Sequence, residues 1–283
     1  MRILITGAEG QLGRDVCREA LRRGHEALGV DRADFDLADR EAVCAALEAA
    51  LPDAVVHCAA YTAVDRAENE PDLARAVNEG GTAALAGCCA RRDLWLIYIS
   101  TDYVFDGSGN RPWEPEDRPA PLSVYGKTKW LGELAATRNP RHMIVRTSWV
   151  FGAHGGNFVK TMLRLGAEQP ELRVVEDQVG APTYTADLAR LLLDMAERPQ
   201  TGIYHASNGG CCSWADFAAA ILRAAELPAR VIPIPSSDYP QAARRPKNSR
   251  LSPRALLAAG YEPLPAWEDA LRRFLDENRA EKL

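Results

Sequence analysis

The chain has 283 residues, of which 47% are hydrophobic, and it carries a formal net charge of -5 at pH 7. This length and apolar content support a packed core in one large domain or two modest ones, and they exclude a largely disordered chain. The acidic balance argues against a general nucleic-acid binder, and no apolar run approaches the roughly 20 residues that a membrane helix requires.

Strand and helix patterns alternate through the first half of the chain. Strands are predicted over residues 2–6, 25–30, 54–58, 94–100 and 142–147, and helices over residues 11–23, 40–50, 72–91 and 123–136. Residues 94–100 form a continuous apolar run, which is typical of a parallel strand buried on both faces. This alternation predicts an α/β fold with a doubly wound parallel sheet of the Rossmann type.

The second half of the chain contains more turn signals and shorter strands. Strands are predicted over residues 173–175, 203–205 and 231–234, and helices over residues 186–197, 214–225 and 266–278. We interpret residues 1–148 as a dinucleotide-binding domain. Residues 149–283 are interpreted as a smaller α/β substrate lobe, with some segments returning to the first domain. The lobe is expected to cover a cleft beside the carboxyl ends of the first sheet.

The cysteine pattern indicates a reducing compartment. The chain has 7 cysteines, an odd number, with two adjacent pairs and no Cys-x-x-Cys spacing. This pattern argues against a disulfide framework and against a zinc site. We therefore expect a cytoplasmic protein, and the first predicted strand begins too close to the N-terminus for a signal peptide to precede it.

Three glycines follow the first predicted strand. Gly7, Gly10 and Gly13 lie between this strand and the first predicted helix. Glycines permit a tight turn and close approach of the backbone to a pyrophosphate, while the helix N-terminus offers free N–H groups. Glycines often only mark turns, but their position after a strand and before a helix predicts a dinucleotide cofactor.

Residues after the second predicted strand bear on the choice of cofactor. Asp31 ends this strand, where a carboxylate can bind a ribose 2′-hydroxyl, and the neighbouring Arg32 can bind a 2′-phosphate. The sequence therefore does not decide between NADH and NADPH as the cofactor. The alternative interpretation is that both residues belong to a solvated loop. Asp36 and Leu37 are candidates to flank the adenine, although an acidic loop that caps the next helix is an alternative.

A tyrosine and a lysine lie one helical turn apart in the predicted helix over residues 123–136. Tyr125 and Lys129 share a helix face, so the ammonium and an oxidised nicotinamide can lower the pKa of the phenol for acid–base catalysis. Thr101 follows the fourth predicted strand and can polarise a substrate carbonyl, with Ser100 as the alternative hydroxyl. The competing interpretations are an amphipathic helix with an exposed lysine and a threonine that caps a turn.

These motifs resemble the extended short-chain dehydrogenase/reductase superfamily. Within it, the chain is similar to the dTDP-4-dehydrorhamnose reductases. The segments that carry the likeness are residues 6–13, 59–68, 78–82, 100–107, 125–129, 146–150 and 177–183, with a weaker echo at 245–251. The resemblance spans nearly the whole chain.

The resemblance implies reduction of the C4 ketone of a dTDP-sugar, dTDP-4-dehydro-L-rhamnose, by NADPH or NADH. Thr101, Tyr125 and Lys129 would be catalytic. The cofactor set would comprise Gly7, Gly10, Gln11, Leu12, Gly13, Asp31, Arg32, Asp36, Leu37, Ala59, Ala60, Tyr61, Thr62, Tyr125 and Lys129. The substrate set would comprise Val64, Thr101, Asp102, Tyr103, Trp149 and Asn157.

The chain departs from the family pattern at a few positions. Tyr61 stands where many relatives have His, and His57-Cys58 stands where many have Asn-Ala; both changes spare backbone contacts to the cofactor. Some relatives dimerise around Mg²⁺ through glutamates, which leaves a homodimer open. Asp15 is shorter by one methylene than the Glu expected there, so no metal is predicted.

Two alternative functions stay open from the sequence. One is another nucleotide-sugar enzyme of the superfamily, a ketoreductase, epimerase or dehydratase. Dehydratases resemble each other in a Thr-Asp-Glu string whose Glu is the base, and here the third position is Tyr103. The other is a non-catalytic regulator that resembles the regulatory subunit of methionine adenosyltransferase. The intact Thr101, Tyr125 and Lys129 favour an enzyme.

Overall fold

The structure, a computed structural model, describes residues 1–34 and 36–280. Its strands are β1 Arg2–Thr6, β2 Glu26–Val30, β3 Ala54–His57, β4 Trp95–Thr101, β5 His142–Thr147, β6 Val150–Phe151, β7 Glu171–Val175, β8 Val179–Gly180, β9 Thr183–Tyr184, β10 Gly202–His205, β11 Cys212–Ser213, β12 Arg230–Ile234 and β13 Asn248–Ser249. Its α-helices are α1 Gln11–Arg22, α2 Arg40–Ala50, α3 Val64–Ala67, α4 Pro71–Arg75, α5 Thr82–Arg91, α6 Val124–Ala136, α7 Phe158–Glu168, α8 Thr185–Glu197, α9 Trp214–Ala224, α10 Arg254–Ala258 and α11 Trp267–Ala280. Among the described residues, no helix is both long and apolar enough to cross a membrane.

Six strands form the main sheet, in the order β10-β5-β4-β3-β1-β2. All neighbouring pairs run parallel. Every residue of β3 is buried, as expected for a strand covered by helices on both faces. The predicted α/β fold with a doubly wound parallel sheet is confirmed.

The strand order changes direction next to β1, because β2 lies on one side of this strand and β3 lies on the other. At such a switch point, the loops that follow neighbouring strands separate and leave a crevice. Helix α1 begins at Gln11, shortly after β1 ends at Thr6, so its unpaired N–H groups are placed at this crevice. The sheet topology alone therefore locates a ligand site at the carboxyl edge.

The C-terminal half of the chain contributes to two regions of the molecule. Strand β10 pairs with β5 at the edge of the main sheet, and α8 packs against α1. Other segments form smaller sheets around a second apolar core that includes Phe151, Phe217 and Phe274. The division of the chain at residues 148 and 149 stays a prediction.

Helix α7 is absent from the sequence prediction. Gly155 and Gly156 precede it and favour a loop, but Asn157 then accepts a hydrogen bond from the backbone N–H of Lys160 at 3.0 Å and caps the helix. The predicted helix over residues 72–91 is also interrupted, because a π-helical turn over Ala76–Gly81 separates α4 from α5.

A disulfide joins Cys44 of α2 to Cys88 of α5, with the two Cα atoms 5.9 Å apart. The argument against disulfides is wrong at this pair. The two cysteines are separated by 44 residues in sequence, and only the packing of α2 against α5 brings them together. The expected cytoplasmic location therefore loses the support that it drew from the cysteine pattern.

Candidate active site

A cavity of about 860 Å³ opens at the carboxyl edge of the main sheet. It brings together residues from the glycine loop, the ends of β2, β3 and β4, helix α6 and the segment after β5. The predicted site residues that line it are Gly7, Gly10, Gln11, Leu12, Gly13, Asp31, Arg32, Asp36, Leu37, Ala59, Ala60, Tyr61, Thr62, Val64, Thr101, Asp102, Tyr103, Tyr125, Lys129 and Trp149.

Asn157 does not line this cavity. Its side-chain amide donates hydrogen bonds to Gln11 Oε1 and to the carbonyl oxygen of Gly152, both at 2.8 Å, while its own oxygen caps α7. The structure therefore places Asn157 behind Gln11, where it orients a residue that does line the cavity. Its predicted direct contact with substrate has no support from this geometry.

Two glycines of the loop, Gly7 and Gly13, have no space for a side chain. Gly7 has a φ of +68°, which disfavours other residues, and a Cβ there would lie 2.7 Å from the backbone nitrogen of Ala59. A Cβ on Gly13 would collide with the carbonyl oxygen of Gly7. The loop thus presents bare backbone at the N-terminus of α1, and this cradle fits the pyrophosphate of a dinucleotide.

Asp31 stabilises the glycine loop from the end of β2. Its Oδ2 accepts a hydrogen bond from the backbone N–H of Glu9 at 2.8 Å, and its Oδ1 accepts one from the N–H of Arg32 at 2.7 Å. The side chain of Arg32 is exposed at the cavity rim. The carboxylate and the guanidinium are both available at the adenosine end, so this geometry leaves the choice between NADH and NADPH open.

A buried polar network holds the backbone that follows β3. His57 Nδ1 lies 2.7 Å from Thr6 Oγ1, and this hydroxyl accepts a hydrogen bond from the N–H of Ala59 at 3.3 Å. Burial lowers the pKa of His57 to about 3, so the imidazole is neutral. Asn78, in the π-helical turn, binds both the N–H and the carbonyl of Tyr61, at 2.8 and 3.2 Å. The predicted cofactor segment is therefore fixed through its backbone.

Tyr125 lies in the first turn of α6. Ser123 caps this helix by accepting a hydrogen bond from the N–H of Gly126 at 3.1 Å, and Tyr125 packs edge-on against Tyr103 with ring centroids 5.7 Å apart. Burial raises the pKa of Tyr125 to about 12, although a hydrogen bond with Thr101 opposes the shift. The expected lowering of this pKa by Lys129 is not seen: burial and the nearby Asp102 raise the pKa, and Lys129 is not among the groups that shift it.

Lys129 is 2% exposed, which contradicts the alternative of a solvent-facing lysine. Its Nζ donates a hydrogen bond to the carbonyl oxygen of Ile99 at 2.7 Å and lies 4.1 Å from the ring centroid of Tyr98. Burial lowers the pKa of Lys129 to about 7, and the carboxylate of Glu133 opposes this shift. Its charge is consequently sensitive to small changes in its surroundings near neutral pH.

Thr101 is the last residue of β4, inside the strand and not beyond it as predicted. Its hydroxyl accepts a hydrogen bond from the N–H of Tyr103 at 3.2 Å and donates one to Asp102 Oδ1 at 3.1 Å. The other carboxyl oxygen of Asp102 is buried and makes no hydrogen bond. Burial raises the pKa of Asp102 to about 6. A hydroxyl and a carboxyl that is easily protonated therefore meet beside Tyr125.

Two stacked tryptophans, Trp149 and Trp214, line the same cavity as the catalytic candidates. Trp149 has a φ of +50°, which is rare for a residue with a large side chain. Its ring stacks on Trp214 with centroids 3.6 Å apart. Sequence reasoning found Trp149 but missed Trp214, because an aromatic residue in the first turn of a helix normally indicates core packing.

A second cavity of about 410 Å³ adjoins the first, and Trp214 lines both. It is enclosed by α7, β7 and the loop before β13, and its basic lining residues are Arg173 and Arg245. Arg245 also donates a hydrogen bond to Asp65 Oδ2 at 2.7 Å, which links this loop to α3. The sequence motif at 245–251 gave no indication of this link.

Acidic side chains do not converge as metal ligands within the described part of the chain. No group of three or more His, Cys, Asp or Glu side chains there could hold a metal ion. Asp15 is instead paired with Arg18 at 2.9 Å. The absence of a metal stays a prediction.

Comparison with known proteins identifies relatives along the full described chain. The family model described as the RmlD substrate binding domain matches residues 1–280. The spore coat polysaccharide biosynthesis protein SpsK of Bacillus subtilis is 42% identical, with 98% of this chain and 97% of that protein covered. A dTDP-4-dehydrorhamnose reductase of Sinorhizobium fredii is 44% identical, with 97% of each chain covered.

A solved structure extends this likeness to three dimensions. The crystal structure of dTDP-4-dehydrorhamnose reductase from Bacillus anthracis in complex with NADP has a TM-score of 0.95 and 39% identity, covering 98% of this chain and 99% of that one. The family resemblance inferred from the motifs is confirmed by both the sequence relatives and this structure. The chain therefore belongs to the dTDP-4-dehydrorhamnose reductase family.

Proposed function

We propose that this chain is an oxidoreductase that reduces the C4 ketone of dTDP-4-dehydro-L-rhamnose to dTDP-L-rhamnose with NADPH or NADH. The observation that carries the proposal is the meeting of Thr101, Tyr125 and Lys129 with the glycine loop in one cavity. Family membership supports the same reaction, and the NADP in the Bacillus anthracis relative supports the cofactor.

The residues of the first cavity fit a nicotinamide dinucleotide. The bare backbone at Gly7 and Gly13 would hold the pyrophosphate at the N-terminus of α1, and Asp31 and Arg32 would flank the adenosine ribose. Lys129 would hydrogen-bond the other ribose. When bound, the nicotinamide supplies the hydride that reduces C4.

Tyr125 would donate the proton to the ketone oxygen as this oxygen becomes an alkoxide. Its pKa of about 12 keeps the phenol protonated at neutral pH, which is the form that reduction requires. Thr101 would donate a hydrogen bond to the same oxygen, and its hydroxyl must then turn away from Asp102 Oδ1. Protonation of Asp102, which its raised pKa favours, would weaken Oδ1 as an acceptor and make this turn easier.

The substrate would extend from the first cavity into the second. Val64, Asp102 and Tyr103 would face the sugar, and the stacked rings of Trp149 and Trp214 would cover it. The nucleotide would occupy the second cavity. Its position away from the reacting carbon lets its binding energy contribute to orientation of the ketone.

The alternative functions receive less support. Tyr103 replaces the carboxylate base that a dehydration requires, and its burial raises its pKa well above the ordinary value. A purely regulatory role does not account for a buried lysine and a buried, unpaired carboxyl oxygen around one cavity. Dehydration and a purely regulatory role are therefore less favoured than reduction.

The direct test is consumption of the nicotinamide cofactor. Purified protein with NADPH, or with NADH, should lose absorbance at the reduced-nicotinamide band only when dTDP-4-dehydro-L-rhamnose is added. Product formation without oxidation of either cofactor would refute the proposal. Comparing kcat/KM for the two cofactors tests the further expectation that Asp31 and Arg32 exclude neither.

Location and assembly complete the proposal. We expect a cytoplasmic enzyme, which cell fractionation can test. We also expect a homodimer that binds neither nucleic acid nor membrane. Sedimentation equilibrium in the presence and absence of a chelator would establish the oligomeric state and show whether a divalent cation contributes to it.

A further inference from the structure

Glu133 lies on the same face of α6 as the two predicted catalytic residues. Tyr125, Lys129 and Glu133 follow each other at intervals of four residues, so their side chains align along the helix. Glu133 is only 3% exposed. Carboxylates are rarely buried unless they are paired, so its partners must be identified.

The partners of Glu133 come from two neighbouring strands of the main sheet. Arg146 of β5 donates from Nε to Oε1 at 2.8 Å and from a terminal nitrogen to Oε2 at 2.7 Å. Ser100 of β4 donates its hydroxyl to Oε1 at 2.5 Å. Arg146 is itself 1% exposed and Ser100 is 3% exposed. This cluster of three buried side chains joins α6 to β4 and β5.

The cluster connects directly to the groups of the active site through β4. Three consecutive residues of this strand make three different contacts: Ile99 accepts from Lys129 Nζ, Ser100 donates to Glu133, and Thr101 enters the cavity. Glu133 is therefore tied through one stretch of β4 to the strand positions that hold Lys129 and carry Thr101.

The charges in this region also depend on Glu133. Lys129 and Arg146 are two buried cations, and a guanidinium does not lose its proton in proteins. Among the described residues, the other titratable groups near Lys129 or the cluster are His57 at the end of β3, Cys58 directly after it, Tyr98 from β4, Tyr125 from α6 and His205 from β10. Asp102 acts on the neighbouring Tyr125. Both histidines are neutral, because burial lowers the pKa of each to about 3.

We propose that Glu133 is a positioning residue that keeps Lys129 protonated and in register with Thr101, and that Arg146 sets how much negative charge Glu133 presents to this lysine. The inference rests on the proposed reductase function and extends it to residues outside the cavity. Loss of the Glu133 charge would leave two buried cations, of which only Lys129 can become neutral.

The test compares pH profiles of three variants with the wild-type enzyme. Lys129 is active when protonated, so activity falls as pH rises through its pKa. Glu133→Gln should move this high-pH limb of kcat/KM to lower pH by about one unit, and Arg146→Gln should move it to higher pH. The double variant Glu133→Gln/Arg146→Gln removes both charges and should return the limb close to its wild-type position.

Two controls separate the charge effect from general destabilisation. Asp187→Asn removes another buried carboxylate, which pairs with the half-buried Arg273 at 2.6 Å on helix α8, and it should not move the limb. Ser100→Ala removes a hydrogen bond to Glu133 without changing a charge, so it should lower kcat by a few-fold and also leave the limb in place.

Shifts in the same direction for Glu133→Gln and Arg146→Gln would overturn the proposal, as would an unchanged limb in both. If neither single variant folds, the double variant decides. A shift of its high-pH limb to lower pH, as expected for Glu133→Gln alone, would refute the role assigned to the Glu133–Arg146 pair. The affinity for NADPH measured against pH gives a readout that needs no sugar. A wild-type enzyme that is inactive on the ketosugar would refute the proposed function, while this NADPH profile still tests the role of Glu133.

Discussion

The buried carboxyl of Asp102 should reduce the stability of the fold whenever it is ionised. Asp102 is 2% exposed, and one of its carboxyl oxygens makes no hydrogen bond. Burial raises its pKa from the ordinary 3.8 to about 6. A shift of about 2 pKa units corresponds to about 3 kcal/mol, at 1.36 kcal/mol per unit.

The sign of this effect follows from the raised pKa. The neutral carboxyl favours the folded state, so its contribution is complete below the unfolded pKa of 3.8 and is lost as pH rises through about 6. Asp102→Asn cannot ionise. It should change the free energy of unfolding little at pH 4 and increase it at pH 8 by up to about 3 kcal/mol, while turnover falls.

Urea unfolding followed by tryptophan fluorescence at pH 4, 6 and 8 measures this difference. Asp72→Asn, at an exposed position of α4, serves as the matched control and should show no such dependence. A stability gain for Asp102→Asn that is equal at all three pH values would refute the electrostatic argument. A loss of stability at pH 8 would show that the carboxylate has partners that compensate its burial.

Three substitutions test the proposed catalytic groups. Tyr125→Phe should lower kcat by about 10²–10⁴-fold with NADPH affinity nearly intact, because general acid catalysis contributes this much. Tyr261→Phe, which removes a hydroxyl bonded to the carbonyl of Arg198, should keep full activity as a control. Lys129→Met should weaken both kcat and NADPH binding. Thr101→Val should cost less than either, since the proton donor remains. Stopped-flow turnover and fluorescence titration of NADPH separate these outcomes, and a Tyr125→Phe enzyme with more than about a tenth of wild-type kcat excludes Tyr125 as the acid.

The predictable features of this protein are those set by short segments. Gly7 lies in the turn that follows β1, and Gly13 lies in the first turn of α1. In α6, the helical spacing alone fixes Tyr125 relative to Lys129. The parallel sheet follows from buried apolar strands that alternate with helices. These arguments require only neighbouring residues, so they hold before the tertiary structure is known.

Features that depend on distant contacts could not be predicted in this way. The disulfide between Cys44 and Cys88 requires two helices to pack, and the Arg245–Asp65 pair joins residues 180 positions apart in sequence. Trp214 enters the site because α9 begins beside Trp149. Local patterns give each of these residues a more ordinary role, as a free thiol, a surface charge or a core aromatic residue.

Glu133 shows that the burial of a side chain decides its role, and that burial cannot be read from the local sequence. Its spacing from Lys129 is visible in the sequence, but a glutamate four residues after a lysine on a helix normally indicates an exposed ion pair of small energetic value. Only the position of Arg146 on β5, paired in register with Ser100 on β4, shows that this face of the helix is covered by the sheet. When the same carboxylate is buried, its removal strongly lowers the stability of the fold, because its charged partners are left without a counter-charge. The electrostatics of the site therefore extend one helical turn beyond the residues that line the cavity.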